Sequence, residues 1–144
     1  MAPKFRCWFK DTGTQAAHMV EWHELREFKA LGDLLQYSGE NKSFHLMQST
    51  GLKDKNSVDI FEGDVLLHTS SSVNYSDTYW HSYVQVYRMD SGAYRIKGKH
   101  IYDTELMSAR NRLEVVGNIY QNQDLLDKEY FSTSDGIVEQ ANEN

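Results

Sequence analysis

The chain has 144 residues, which is enough for one domain of ordinary size. Apolar residues make up 40% of it and aromatic residues 12%, so a packed core can form and disorder of the whole chain is excluded. The formal net charge of −6 argues against broad, non-specific DNA binding, because phosphate contacts need clustered Lys and Arg. The opposite possibility, an acidic protein that mimics nucleic acid in a partner's binding channel, is not excluded. However, 21 acidic residues spread along the chain are more typical of a solvated surface.

The single cysteine, Cys7, excludes an intramolecular disulfide. Its aromatic neighbours indicate a buried apolar thiol rather than a nucleophile. The N-terminus has no apolar segment of signal-peptide length, and no run approaches the roughly 18 apolar residues of a membrane span. We therefore expect a soluble, cytosolic protein without membrane association.

The first predicted element is a half-buried strand over residues 3–10, where Phe5, Cys7 and Phe9 alternate with basic residues. Residues 18–37 are ambiguous. Their apolar residues recur at helical spacing and predict a helix over about 21–30, but extended structure stays open.

Short strands separated by turn residues account for most of the remaining chain. The segment 79–89 is aromatic and β-branched, and it predicts a strand that returns over 93–97 after a turn in which Gly92 takes positive φ. Residues 121–126 predict a short helical turn. The other predicted strands lie at residues 44–49, within 62–68 and at 113–120.

This pattern predicts a mainly β fold with little helix: a small antiparallel, partly closed barrel or sandwich with SH3-like elements. We expect a single β domain over residues 1–131 and a polar, flexible tail over 132–144. The residues expected in the core are Phe5, Leu46, Ile60, Val65, Val84, Val86, Val115 and Ile119.

The most distinctive stretch is LMQSTGLKDKNSVDIFEGDV at residues 46–65. It resembles the signature of the YopX-like family of bacteriophage and prophage proteins, as do KFRCW at 4–8 and EVVGNIYQN at 114–122. Two positions depart from the family pattern: Ser57 stands where it has Gly, and Phe61 where it usually has Tyr.

The resemblance implies a mainly β phage protein in the cytoplasm of the infected host, from a family without an accepted activity. We interpret the motif as structural. Gly51 and Gly63 suit turns that need positive φ, and the polar side chains at 53–56 can bond their own backbone.

Two metal-site hypotheses were weighed against ordinary surface structure. One uses His18, Glu21, His23 and Glu27, where a surface pair is favoured. The other is a metal-dependent hydrolase built on the acids of the motif, where the alternating lysines favour a solvated loop. Those acids are Asp54, Asp59, Glu62 and Asp64. No phosphate loop or nucleophile elbow is present in the sequence, and we expect no cofactor and no resident metal.

The best candidate for a ligand or partner surface is the segment of aromatic residues followed by basic residues, since such a combination can stack a base and hold phosphate. The competing interpretation is an ordinary hairpin with one face in the core. The candidate residues are Tyr79, Trp80, His81, Tyr83, Arg88, Arg95 and Lys97.

We expect a non-enzymatic binding protein that modulates a host or phage process, host defence included. It would capture either a host or phage protein or a small nucleotide-like ligand. A nucleic-acid regulator and the hydrolase described above are the alternatives. We also expect a homo-oligomer, because short barrels leave open strand edges.

Overall fold

The computed structural model describes residues 3–28, 31–32, 44–71, 77–133 and 136–142, the last of these by backbone alone. The chain divides into two compact units, residues 1–51 and 52–144. No helix within the described ranges is long and apolar enough to cross a membrane.

The first unit contains three antiparallel strands in the order β2-β1-β3 and one short helix. Its core packs around Cys7, which lies opposite Val20 on one side and Leu46 on the other. The strand predicted over residues 3–10 is therefore confirmed as β1. The elements are β1 (Phe5–Phe9), β2 (His18–Val20), α1 (Trp22–Leu25) and β3 (Phe44–Lys53), which continues past Gly51.

The helix predicted over residues 21–30 is much shorter in the structure. It begins at Trp22 and its regular part ends at Leu25, whose side chain is fully buried. Glu21 occupies the N-cap position but makes no side-chain capping bond, so this helix end lacks the usual local stabilisation. Residues 29 and 30 lie outside the described residues.

The second unit is built on an antiparallel sheet with the order β11-β10-β6-β5-β9, strongly curled into a half-barrel. The first half of β6 pairs with β10, and its second half pairs with β7, which in turn pairs with β8. The strands of this sheet are β5 (Asp64–Ser71), β6 (Thr78–Arg88), β7 (Tyr94–Lys97), β8 (Thr104–Glu105), β9 (Leu113–Asn118), β10 (Lys128–Thr133) and β11 (Gly136–Asn142). The short strand β4 (Asp59–Phe61) pairs with β3 instead. The helical segments are α2 (Leu106–Ala109) and two 3-10 turns, Arg110–Arg112 and Gln123–Asp127.

The inner face of this sheet carries the core of the second unit. Alternation along β6 buries Ser82, Val84 and Val86 and leaves Tyr83 and Tyr87 on the opposite face, half-buried. The core members are Ile60, Leu66, Val84, Val86, Ile96, Leu106, Ala109 and Leu113. The predicted fold class, mainly β with little helix, is confirmed.

Four of the eight residues predicted in the core are buried to 1% exposure or less, namely Ile60, Val65, Val84 and Val86. The other four are half-buried, and all of them except Ile119 pack against one of the core clusters. They are Phe5, Leu46, Val115 and Ile119.

Two glycine turns, one in the motif and one between β6 and β7, have local structural roles. Gly63 has φ of 83° and donates its N–H to the Val86 carbonyl, while its own carbonyl accepts from Ile119. Gly92 has φ of 93° at the tip of the β6–β7 turn. Positive φ is thus confirmed at both glycines, and a Cβ would strain either turn.

Residues 136–142, which the sequence placed in a polar tail, form β11 and pair with β10. The other edge of β10 pairs with β6, so without β11 this strand would present an open row of backbone groups. Backbone pairing with β11 covers that edge of β10, and it does not depend on the polarity of the side chains. The backbone of this part of the predicted tail is a strand, and its flexibility stays a prediction.

Candidate binding surface on strands β6 and β7

The candidate surface is the face of β6 that points away from the core. The pleat places Tyr79, His81, Tyr83 and Tyr87 on this face, because they lie two or four residues apart. Neighbouring strands add Thr69 from β5 opposite His81. Further members come from β9 and β10: Glu114, Tyr130 and Ser132.

The His81 ring is fixed on three sides. It stacks on the ring of Tyr130, with centroids 4.4 Å apart and planes 18° from parallel. Its Nδ1 lies 2.9 Å from the Thr69 hydroxyl, and its Nε2 lies 2.5 Å from the Ser132 hydroxyl. These contacts hold the imidazole in one orientation before any partner arrives.

The titrating groups at this end of the surface are held in their neutral forms. Burial, and secondarily the charge of Lys55, lowers the pKa of His81. Burial is also the main reason why the pKa of Tyr83 and that of Tyr130 are raised, and the nearby Glu114 carboxylate adds to both shifts. At neutral pH these side chains therefore offer hydrogen bonds and aromatic area without charge.

The other end of the surface is cationic. Lys97 Nζ lies 4.8 Å from the centroid of the Tyr87 ring, a cation–π contact, and Arg95 lies directly opposite Tyr87 in the β6–β7 ladder. The Tyr87 hydroxyl donates to Asp103 Oδ2 at 2.8 Å. Within the described residues, neither Arg95 nor Lys97 forms an ion pair with a carboxylate. Their charges are thus available to an anionic partner.

A cleft of about 700 Å³ adjoins this cationic end. Lys97 and Gln85 form one side of it, and Lys99 is held in an ion pair with Asp127. At Gly98 a Cβ would lie 2.9 Å from the Tyr83 carbonyl oxygen, so the chain approaches β6 too closely for any side chain. Its full lining is Gln85, Lys97, Gly98, Lys99, Asp103, Gln123, Asp124, Leu126 and Asp127.

The structure separates the predicted site residues into two groups. Trp80 lies on the core side of β6, where its Nε1 donates to Glu129 Oε2 at 2.7 Å. Arg88 also lies off the candidate face, with its Nε 3.9 Å from Glu62 Oε2. The five that share the face are Tyr79, His81, Tyr83, Arg95 and Lys97.

Sequence reasoning missed the surface residues outside β6 and β7. Glu114, Tyr130 and Ser132 reach this face through strand pairing; Glu114 begins the 114–122 motif, but that motif does not indicate which face it occupies, and no local motif contains Tyr130 or Ser132. Alternating polarity along β10, once its pairing with β6 is known, is the only signal that could have identified them.

The acids of the motif do not form the metal site considered above. Asp54 is 5% exposed, and both its carboxylate oxygens accept backbone N–H groups. Asp64 is fully buried and accepts the N–H of Phe61 at 2.8 Å. Among the residues that the structure describes, no three His, Cys, Asp or Glu side chains are placed to hold a metal ion. Asp54 and Asp64 thus stabilise local backbone turns, while Asp59 pairs with Lys53 at 3.0 Å and Glu62 lies 3.9 Å from Arg88.

The histidine and glutamate residues near the first strand are likewise dispersed. The His18 ring stacks on Phe9 at 5.5 Å, and its Nδ1 lies 3.0 Å from the Ala16 carbonyl oxygen. His23 pairs with its neighbour Glu24 at 3.7 Å on an exposed surface. This is the ordinary surface arrangement rather than a ligand set.

The fold and this surface define a small antiparallel β protein with a polar aromatic face. The YopX protein family model matches residues 4–127, and the chain belongs to this family of phage-type proteins. It is similar to the crystal structure of protein EF1440 from Enterococcus faecalis, with 22% identity over 88% of this chain and 99% of that one and a TM-score of 0.49. No curated protein matches the sequence.

Proposed function

We propose that the chain is a non-enzymatic binding protein that captures an anionic partner on the outer face of β6 and β7. Acting in the cytoplasm of the infected host, it would modulate a host or phage process, host defence included. The principal partner is a host or phage protein with an acidic surface.

The observation that carries this proposal is a pair of cations beside Tyr87 that form no ion pair within the described residues, although Glu105 lies opposite Arg95 in the β7–β8 ladder and Asp103 accepts a hydrogen bond from Tyr87. Arg95 and Lys97 have no carboxylate partner within the described residues, although the chain as a whole has a net charge of −6. A local positive patch on an acidic protein favours association with acidic surfaces in one orientation. Tyr and Arg are also among the residue types that dominate interface energetics.

Preorganisation supports the same proposal. The His81 ring is held by Thr69, Ser132 and Tyr130, so it loses little conformational freedom on binding. The half-buried Tyr83 beside it offers a rigid aromatic surface with a polar tip. A rigid aromatic area next to cations is suited to a specific protein contact.

A second form of the proposal is the capture of a small nucleotide-like molecule in the adjoining cleft. Its volume of about 700 Å³ lies within the range of small-molecule sites. Lys97, which lines the cleft, would face the phosphate. Three aspartates in the lining oppose a highly charged anion, which is why we place the protein partner first.

The test begins with capture from infected host cells, with mass spectrometry of both proteins and small molecules. The identified partner is then titrated against the wild type and the Arg95→Gln/Lys97→Gln double variant. We expect the double variant to bind at least tenfold more weakly, and Tyr87→Ala to cost on the order of 2 kcal/mol.

Lys128→Gln serves as the matched control, since Lys128 is a comparably exposed lysine paired with Asp124 at 3.7 Å. It should bind like the wild type. Equal affinity of the double variant and the wild type, with both folded by circular dichroism, would remove this face as the binding surface. If the protein binds DNA, and if its affinity falls with salt concentration as steeply as the release of several counterions requires, the result would instead favour the nucleic-acid regulator.

We also propose that the protein forms a homo-oligomer. Large apolar side chains support this, since Met107 is 66% exposed and Tyr102 is 95% exposed. Light scattering should give a mass above 16.7 kDa per particle. A monomer over a wide concentration range would contradict the proposal.

A further inference from the structure

A second pocket lies at the opposite end of β6. Strand β9 pairs with β5 only as far as His68, which faces Leu113, and the residues of β5 beyond it continue alongside β6. A pocket of about 530 Å³ opens there. It is lined by His68, Thr69, Ser70, Ser71, Tyr79 and Arg112.

His68 is the buried member of this lining. It is only 8% exposed, and its Nδ1 is buried without a hydrogen-bond partner in the described part of the chain. Burial, and secondarily the charge of Arg112, lowers the pKa of His68. The ring is therefore neutral at pH 7 and carries one N–H that can be donated. An imidazole in this state is unfavourable unless it gains a partner.

Arg112 supplies the charge of the pocket. It is exposed and makes no ion pair with a carboxylate of the described residues. No acidic side chain is present among the described residues of the lining, whereas the cleft near Lys97 contains three aspartates. Ser70, on the same side of β5 as His68, adds a neutral hydroxyl donor, and Thr69, Ser71 and Tyr79 line the pocket from the other side of the strand. The pocket is therefore positive and rich in hydrogen-bond donors.

We propose that this pocket binds a phosphoryl group, with Arg112 as the charge partner and His68 as a neutral hydrogen-bond donor. A guanidinium presents paired N–H groups that match two oxygens of a phosphate, and hydroxyls can satisfy the remaining oxygen. Tyr79 and Tyr87 are eight residues apart on β6, which at about 3.3 Å per residue separates the pocket from the cationic end of the candidate surface by about 26 Å. The pocket shares Thr69 and Tyr79 with the near end of that surface, whereas Arg112 and His68 belong to the pocket alone.

The probe is inorganic phosphate, titrated against chloride at matched ionic strength. Binding is followed by calorimetry and by the NMR shifts of the His68 ring and the Arg112 side chain. We expect saturable binding with a dissociation constant on the order of 1 mM, as befits one small anion. AMP and adenosine are titrated in parallel, because binding of AMP but not of adenosine would identify a phosphate ester as the source of the group.

Arg112→Gln should weaken phosphate binding at least tenfold. Arg110→Gln is the matched control, because Arg110 lies in the same 3-10 turn but does not line the pocket. His68→Gln, which keeps a neutral donor, should retain most of the affinity, while His68→Leu should lose it. Absence of saturable phosphate binding to the wild type, or an equal loss in the Arg110 variant, would overturn the proposal.

Discussion

Asp54 is expected to be the most important single side chain of the motif for stability. Its Oδ1 accepts the N–H groups of Asn56 at 2.8 Å and Val58 at 2.9 Å, and its Oδ2 accepts the N–H of Val115 at 2.8 Å. The carboxylate thereby closes the turn after β3 and ties that turn to β9. The decisive perturbation is Asp54→Asn, which keeps the shape and replaces one acceptor oxygen by a donor.

The magnitude follows from the bonds that are lost. A hydrogen bond to a charged group stabilises by about 1.5–3 kcal/mol, and a buried N–H left without a partner costs a further 1–3 kcal/mol. In Asp54→Asn the amide nitrogen must face at least one backbone N–H, and the remaining bonds lose their charge. We expect the free energy of unfolding to fall by about 3 kcal/mol, which for a chain of this size lowers Tm by about 6–12 °C.

The assay is urea unfolding followed by far-UV circular dichroism. The dependence of the unfolding free energy on urea concentration should be the same in both proteins, which checks that unfolding exposes the same surface area. Asp124→Asn is the control. Its carboxylate is 75% exposed and pairs with Lys128 at 3.7 Å, so its loss should cost no more than about 0.5 kcal/mol. If the free energy of unfolding of Asp54→Asn lies within about 0.5 kcal/mol of the wild-type value, the hydrogen bonds to Asp54 do not stabilise this turn, and the reasoning fails.

Three further predictions concern local strain and titration. Ser57 has φ of 66°, a conformation that strains a residue with a Cβ, so Ser57→Gly should stabilise the protein by about 1 kcal/mol in thermal unfolding. Ser108→Gly is the control: Ser108 lies in the helical segment α2, where glycine should destabilise the protein. Burial raises the pKa of Cys7 to about 11, so the free energy of unfolding should decrease from about pH 9 to pH 11, and Cys7→Ala should remove the part of that decrease that begins below pH 10, where the tyrosines of raised pKa do not yet titrate. The thiol should also react with a disulfide reagent at pH 8 only as fast as the protein unfolds, and rapid labelling of the native protein would contradict its burial. The pKa of His81 in the folded protein is lowered below 6.5. Its neutral form therefore contributes stability that is present above pH 6.5 and is lost as pH falls through the folded pKa. If a His81→Gln variant shows the same dependence of unfolding free energy on acid pH as the wild type, this reasoning is refuted.

Local rules predicted the hairpin and the turns well, because both depend on neighbours in sequence. Positive φ at Gly63 and Gly92 follows from the absence of a Cβ, and the alternation along β6 fixes which residues share a face. The same alternation put Trp80 and Tyr83 on opposite faces, although the sequence alone grouped them as one aromatic segment. Only the pairing of β6 with β5 and β10 showed which of its two faces packs against the core.

The sequence by itself determined the mainly β class, the family and the turn positions, since these are set by short-range sterics and period-two patterning. Only the tertiary structure decided the partners of individual side chains. The Asp54 carboxylate reaches a backbone N–H 61 positions away, and His81 is held by Ser132, 51 positions away. Such contacts depend on which strands pair and in which register, and that is a property of the whole sheet rather than of any segment.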